Sequence, residues 1–131
     1  MPRVTVVNDN PEFLELVGDI LEGDRYETTL IEGDATNDAL DRIRTSQPDV
    51  LMIELRLGRD GIHGWAIAQE VRNDPEMRGT PILLCSADLV ALRRIEDDLD
   101  DTYSVVTLTK PFSIDDLTDR VDQLVAGAQP G

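Results

Sequence analysis

The run Asp49-Val50-Leu51-Met52-Ile53-Glu54 constrains the fold more than any other part of the chain. It follows an extended Pro48-Asp49 step, is apolar throughout and too short for a helix, and ends in a carboxylate ahead of a glycine-rich turn at Gly58 and Gly61. A strand without polar alternation is buried on both faces, which requires a sheet covered by helices on each side. In open α/β sheets, ligands and chemistry collect at the carboxyl ends of such strands, so Glu54 stands where a functional group belongs. Taken alone, Glu54 is equally well read as the point where the strand reaches water.

The remaining segments supply the rest of such a sheet. Arg3 to Val7 is a β-branched run broken by Asn8-Asp9-Asn10-Pro11, with Asn10 placed to cap a helix and Pro11 at its first position. Phe13, Leu14, Val17, Ile20 and Leu21 share one face of that helix, and Gly23 stops it. Tyr26 to Ile31 reads as a weaker second strand. Asp34 is placed to cap a helix with Ala35, Ala39, Leu40 and Ile43 on one face. Beyond the central strand, Trp65, Ala68 and Val71 recur at helical spacing up to Asn73-Asp74-Pro75. Pro81 to Ser86 is a second buried-type strand, and Asp88 can cap a helix carrying Leu89, Leu92 and Ile95. Ser104 to Leu108 is a fifth strand, and Ser113-Ile114-Asp115-Asp116 is a capping box opening a last helix with Leu117, Val121, Leu124 and Val125 inside.

Strict alternation of five strands with five helices predicts a parallel sheet, and right-handed crossovers leave few topologies. The commonest for five units is the flavodoxin-like order 2-1-3-4-5. In that order the ends of strands one and three flank the switch point, so Asn8, Asp9 and Glu54 converge although they are distant in sequence.

With 131 residues, the chain is one domain over 1–127 with a frayed tail at 128–131. Twenty-seven acidic against twelve basic residues give a net charge of −15, which argues against nucleic-acid and anionic-membrane partners. A single cysteine, Cys85, excludes an internal disulfide and suits a reducing, cytoplasmic setting. Without a partner base it reads as core, and His63, the only histidine, has no companion ligands.

Four separated motifs give the chain a specific resemblance. Val6-Val7-Asn8-Asp9-Asn10-Pro11, Val50 to Leu57, Leu84-Cys85-Ser86-Ala87 and Thr109-Lys110-Pro111-Phe112 occur in this order from Arg3 to about Ala126. Together they resemble the acidic turn, phosphoacceptor strand, Ser/Thr-Ala step and Lys-Pro-Phe turn of receiver domains of two-component response regulators. The resemblance implies an aspartate at the end of strand three that takes a phosphoryl group from a phosphohistidine. Magnesium held by the acidic turn neutralises the transferring oxygens, while a lysine and a hydroxyl bind the product. It also implies that the Lys110-Pro111 bond is cis and aims the lysine into the acidic pocket.

The sequence departs from that pattern at several positions. Glu54 occupies the acceptor's place; its extra methylene moves the carboxylate by roughly an ångström, and misplacement on that scale can cost about a hundredfold. Asn8 replaces one of the two adjacent acids and leaves Asp9 as the other. Thr107 stands where many members carry an aromatic reporter; Tyr103 is not its equivalent. Gly58 replaces a common proline, and either Asp60-Gly61 or His63-Gly64 can match the family's Asp-Gly turn, the second with two extra loop residues.

The expectation is therefore a non-enzymatic pseudo-receiver that signals through protein contacts independently of phosphorylation, with Glu54 partly mimicking a phosphorylated state. Asn8 and Asp9 form its acidic pocket, and Ser86, Thr107 and Lys110 are the switch and phosphate-contact equivalents. No cofactor is required; any Mg²⁺ is weak and held by Asp9, Glu54 and the backbone carbonyl of Arg56. The partner is another signalling protein, a histidine kinase or a separate output protein, and self-association would use the helix 4, strand 5, helix 5 face. One alternative is a receiver phosphorylated on Glu54 or Asp60. A magnesium-dependent phosphohydrolase is remote for want of an Asp-x-Asp-x-Thr signature, and a flavin module for want of a phosphate loop.

Overall fold

Alternation along the strands decides which helices each face of the sheet receives. In the computed structural model, which describes residues 1–33, 38–57, 63–98 and 105–128, five parallel strands are β1 (Arg3–Asn8), β2 (Glu27–Glu32), β3 (Val50–Glu54), β4 (Ile82–Ser86) and β5 (Val105–Thr109). Between and after them come α1 (Pro11–Gly23), α2 (Ala39–Ser46), α3 (His63–Asn73), α4 (Leu89–Asp98) and α5 (Ile114–Ala128). The sheet order is β2-β1-β3-β4-β5, the flavodoxin-like order expected from the alternation.

Every residue of β3 and β4 is buried, as the unbroken apolar runs require. Val4, Val6, Val50, Met52, Leu83 and Cys85 point to one side, where they join Leu14, Val17 and Leu21 of α1 and Leu117, Val121 and Val125 of α5. Val7, Leu51, Ile53, Ile82 and Leu84 point to the other, against Ile43 of α2, Ile67, Ala68 and Val71 of α3, and Leu92 and Ile95 of α4. By this parity Asn8 and Glu54, which end β1 and β3, belong to the α1/α5 side, whereas Ser86 belongs to the α3/α4 side.

Three of the caps read from the sequence are made, at Asn10, Asp88 and Ser113. The Asn10 side-chain oxygen accepts from Glu12 N at 3.0 Å and Phe13 N at 3.3 Å, with Pro11 opening α1. Asp88 Oδ1 accepts from Ala91 N at 3.0 Å. Ser113 and Asp116 reciprocate, Oγ accepting from Asp116 N at 3.0 Å and Oδ2 from Ser113 N at 3.3 Å. Two further ties hold the sheet's rim: the buried Thr5 hydroxyl pairs with Ser46 Oγ at 2.6 Å, and the Tyr26 hydroxyl donates to Asp122 of α5.

Several boundaries differ from the sequence reading. β2 runs one residue later, to Glu32, and only Ile31 in it is buried, because an edge strand packs on one neighbour alone. Leu89 is 43% exposed rather than in the core, since it opens α4 at the helix's free end. The last helix runs through Gly127 to Ala128. Asp34, Ala35, Gly58, Asp60, Gly61, Tyr103, Ser104 and the tail at 129–131 lie outside the described residues. Among the described residues, no helix is long and apolar enough to cross a membrane.

Candidate functional site

Glu54 ends β3 with only 8% of its surface exposed, so its charge must be met by protein groups. Both oxygens are engaged. Lys110 Nζ lies 2.5 Å from Oε1, and the main-chain N–H of Arg56 donates to Oε2 at 3.1 Å. Lys110 comes from the turn after β5, where its own N–H donates to Ser86 O at 2.9 Å and the bond to Pro111 is cis, as the resemblance implied. On its other side the ammonium sits 4.1 Å from the centroid of the Phe13 ring. That ring meets Phe112 edge to face, at 6.1 Å between centroids and 79° between planes.

Asn8 is 2% exposed, and its Oδ1 accepts from Asn10 N at 2.8 Å. That hydrogen bond shapes the turn into α1. Asp9 is exposed beside it. Ser86, also 2% exposed, accepts through Oγ from Asp88 N at 3.0 Å, which ties it to the β4–α4 connection. Thr107 Oγ1 donates to Glu96 of α4, a fixed tether where the family often has an aromatic reporter. A divalent ion at Glu54 would have to compete with Lys110 for its Oε1. Among the described residues, no group of three His, Cys, Asp or Glu side chains is placed to hold a metal.

Helix α3 begins directly against the end of β3. Gly64 N donates to Leu55 O at 2.9 Å, and a Cβ on Gly64 would lie 1.9 Å from the Glu54 carbonyl oxygen and 2.8 Å from Leu55 Cα. Gly64 is therefore the position where α3 and the end of β3 approach too closely for any side chain.

Three features of the site escaped the sequence reading. One is the Phe13 ring over Lys110: Phe13 was assigned only to the apolar stripe of α1, and nothing in a helical period signals a cation. Another is the ion pair of Arg56 with Asp88, with Nη2 at 2.5 Å and Nε at 2.7 Å from Oδ2, which bridges the β3 and β4 ends across the site. The third was open to counting: Lys110 is the only lysine among twelve basic residues, the rest being arginine.

Asp88 also accepts from Ala91 N, and that hydrogen bond, followed by Arg56, holds its carboxyl below the usual carboxylate range. A carboxylate favoured in the folded state contributes stability that is present at neutral pH and lost as the pH falls through its lowered value. Asp88→Ala is expected to lower the melting temperature by about 3–6 °C at pH 7, with the difference shrinking below pH 4. Thermal melts at the two pH values check this. Cys85 is fully buried, and burial together with the Glu54 charge pushes its thiol far up, which makes it core rather than nucleophile.

Known proteins match the chain over almost its whole length. The model of the response regulator receiver domain matches residues 4–122. The DNA-binding dual master transcriptional regulator RpaA of Synechocystis is 30% identical over 127 residues, covering 95% of this chain and 49% of RpaA. The polar-differentiation response regulator DivK of Brucella anthropi is 26% identical over 115 residues, covering 87% of this chain and 89% of DivK. The chain spans about half the length of RpaA and less of some other curated relatives. Among solved structures, the receiver domain of a Francisella response regulator superposes with a TM-score of 0.80 at 28% identity, covering 98% of this chain and all of that one. The fold is also shared with TrrA of Thermotoga maritima in complex with Mg²⁺-BeF, with a TM-score of 0.77 at 24% identity and coverage of 95% and 99%. Five parallel strands in the order 2-1-3-4-5, a match over almost the whole chain and relatives of this identity place the chain in the response regulator receiver domain family.

Proposed function

We propose that this receiver domain works independently of phosphorylation, as a pseudo-receiver held in one conformation by its own charges. The observation that carries the proposal is the direct contact of Lys110 with Glu54 at 2.5 Å, with the second Glu54 oxygen on the Arg56 N–H. An acceptor must offer a carboxylate oxygen in line with the incoming phosphorus, and here one oxygen is ion-paired to Lys110 while the other accepts from Arg56, which makes both poorer nucleophiles. Glutamate carries its carboxylate to the lysine unaided, as a phosphorylated aspartate would through its phosphoryl oxygens. It supplies one negative charge rather than about two, so the mimicry is partial.

Asn8, Asp9 and Glu54 bring two carboxylates to the pocket, and Lys110 already neutralises one of them. Mg²⁺ binds well only where charge and geometry are both supplied, so this pocket takes it weakly, through Asp9, Glu54 and the Arg56 backbone carbonyl if at all. The domain acts by contact with another signalling protein, a histidine kinase or a separate output protein, and has no catalytic role. Titration with Mg²⁺ monitored by Trp65 fluorescence or calorimetry is expected to give no saturation below millimolar concentrations. Tight, micromolar binding would overturn the charge argument.

The competing reading is a receiver that accepts a phosphoryl group on Glu54 or Asp60. Peptide mapping after incubation with acetyl phosphate separates the two, since only the competing reading places a phosphoryl group on either residue.

A further inference from the structure

We infer that Phe13 is a positioning residue for Lys110, forming with Glu54 a two-sided seat that fixes where the ammonium stands. The inference holds whether or not Glu54 accepts a phosphoryl group. Lysine carries a point charge on a flexible four-carbon stem, so a single carboxylate contact limits its distance but not its direction. The second contact supplies the direction. Nζ lies 4.1 Å from the Phe13 centroid while 2.5 Å from Glu54 Oε1, and an aromatic face within about 6 Å attracts a cation through its quadrupole.

The ring is itself held. Phe13 is in the first turn of α1, where its N–H is capped by Asn10 Oδ1 at 3.3 Å, and Asn8 Oδ1 fixes Asn10 in turn at 2.8 Å. Phe112, two residues beyond Lys110, buttresses it edge to face at 6.1 Å. The seat thus joins α1, the end of β3 and the turn after β5 through one side chain. Phe13 is only partly buried at the margin of the α1/α5 core, where leucine would serve for packing alone.

Because Lys110 is the only lysine, protein grown with [¹³Cε]lysine gives a single ε-methylene signal that reports this seat. Protons held over an aromatic face are shielded, so the wild-type signal is expected upfield of free lysine. Phe13→Tyr should keep that shift and Phe13→Leu should lose it, with circular dichroism confirming that both are folded. Glu54→Gln should keep most of the shift, because the ring still holds the ammonium. The Glu54→Gln/Phe13→Leu double variant should bring the signal to the free-lysine position. An unchanged signal in Phe13→Leu, or complete loss of the shift in Glu54→Gln, would overturn the inference. Should Phe13→Leu fail to fold, the Glu54→Gln and Phe13→Tyr spectra decide it.

Discussion

Gly64→Ala is expected to be the most damaging glycine-to-alanine change among the described residues. The new Cβ would stand 1.9 Å from the Glu54 carbonyl oxygen, with the Glu54 carbonyl carbon and Leu55 Cα both at 2.8 Å. All three are main-chain atoms of the buried central strand and its exit, so none can swing aside as a side-chain tip would. Either α3 moves away from β3, breaking the Gly64 N to Leu55 O hydrogen bond, or the strand end bends. Overpacking of a well-filled core costs about 1–3 kcal/mol, and a clash with immovable backbone belongs at or above the top of that range. Gly23→Ala is the matched control: it lies in the last turn of α1 with nothing within 4 Å of a new Cβ, and alanine there should stabilise by about 0.4–1 kcal/mol. Urea denaturation followed by Trp65 fluorescence measures both. Equal midpoints for the two variants would mean that α3 does not dock on β3 as described.

Glu54→Asp is expected to act in the opposite sense, raising the capacity to accept a phosphoryl group above that of the wild type. Removing one methylene withdraws the carboxylate from Lys110, frees at least one oxygen, and leaves the lysine available to meet a phosphoryl group. A positional error of about an ångström is worth roughly a hundredfold in rate, so labelling by acetyl phosphate should rise on that scale. Asn8→Asp adds a carboxylate at the turn that would hold Mg²⁺, and it should increase labelling further only when the acceptor is already aspartate. The two substitutions act on one charge cluster, so their effects should be coupled rather than additive.

The sheet was legible because its signals are local and redundant. The apolar runs of β3 and β4 have no other stable use, and Asn10, Asp88 and Ser113 announce helices that form where they stand. The contact of Lys110 with Glu54 also followed once the strand order was fixed, since one lies at the carboxyl end of β3 and the other just beyond β5. Hydrogen-bond choices within the site were not legible. Asn8 and Ser86 both accept from main chain two residues along, from Asn10 N and Asp88 N. Short polar side chains compete in this way for neighbouring backbone, and composition cannot say which partner wins. The Phe13 ring over Lys110 and the Arg56–Asp88 pair join residues 97 and 32 positions apart, set by side-chain direction rather than by any sequence period.

Intact mass of the wild type and of Glu54→Asp/Asn8→Asp, incubated side by side with acetyl phosphate and Mg²⁺, tests most directly whether Glu54 and Lys110 have closed the site to phosphoryl transfer. The wild type should keep its unmodified mass while the double variant gains the mass of one phosphoryl group. Wild type that labels as readily as the double variant would contradict a phosphorylation-independent receiver.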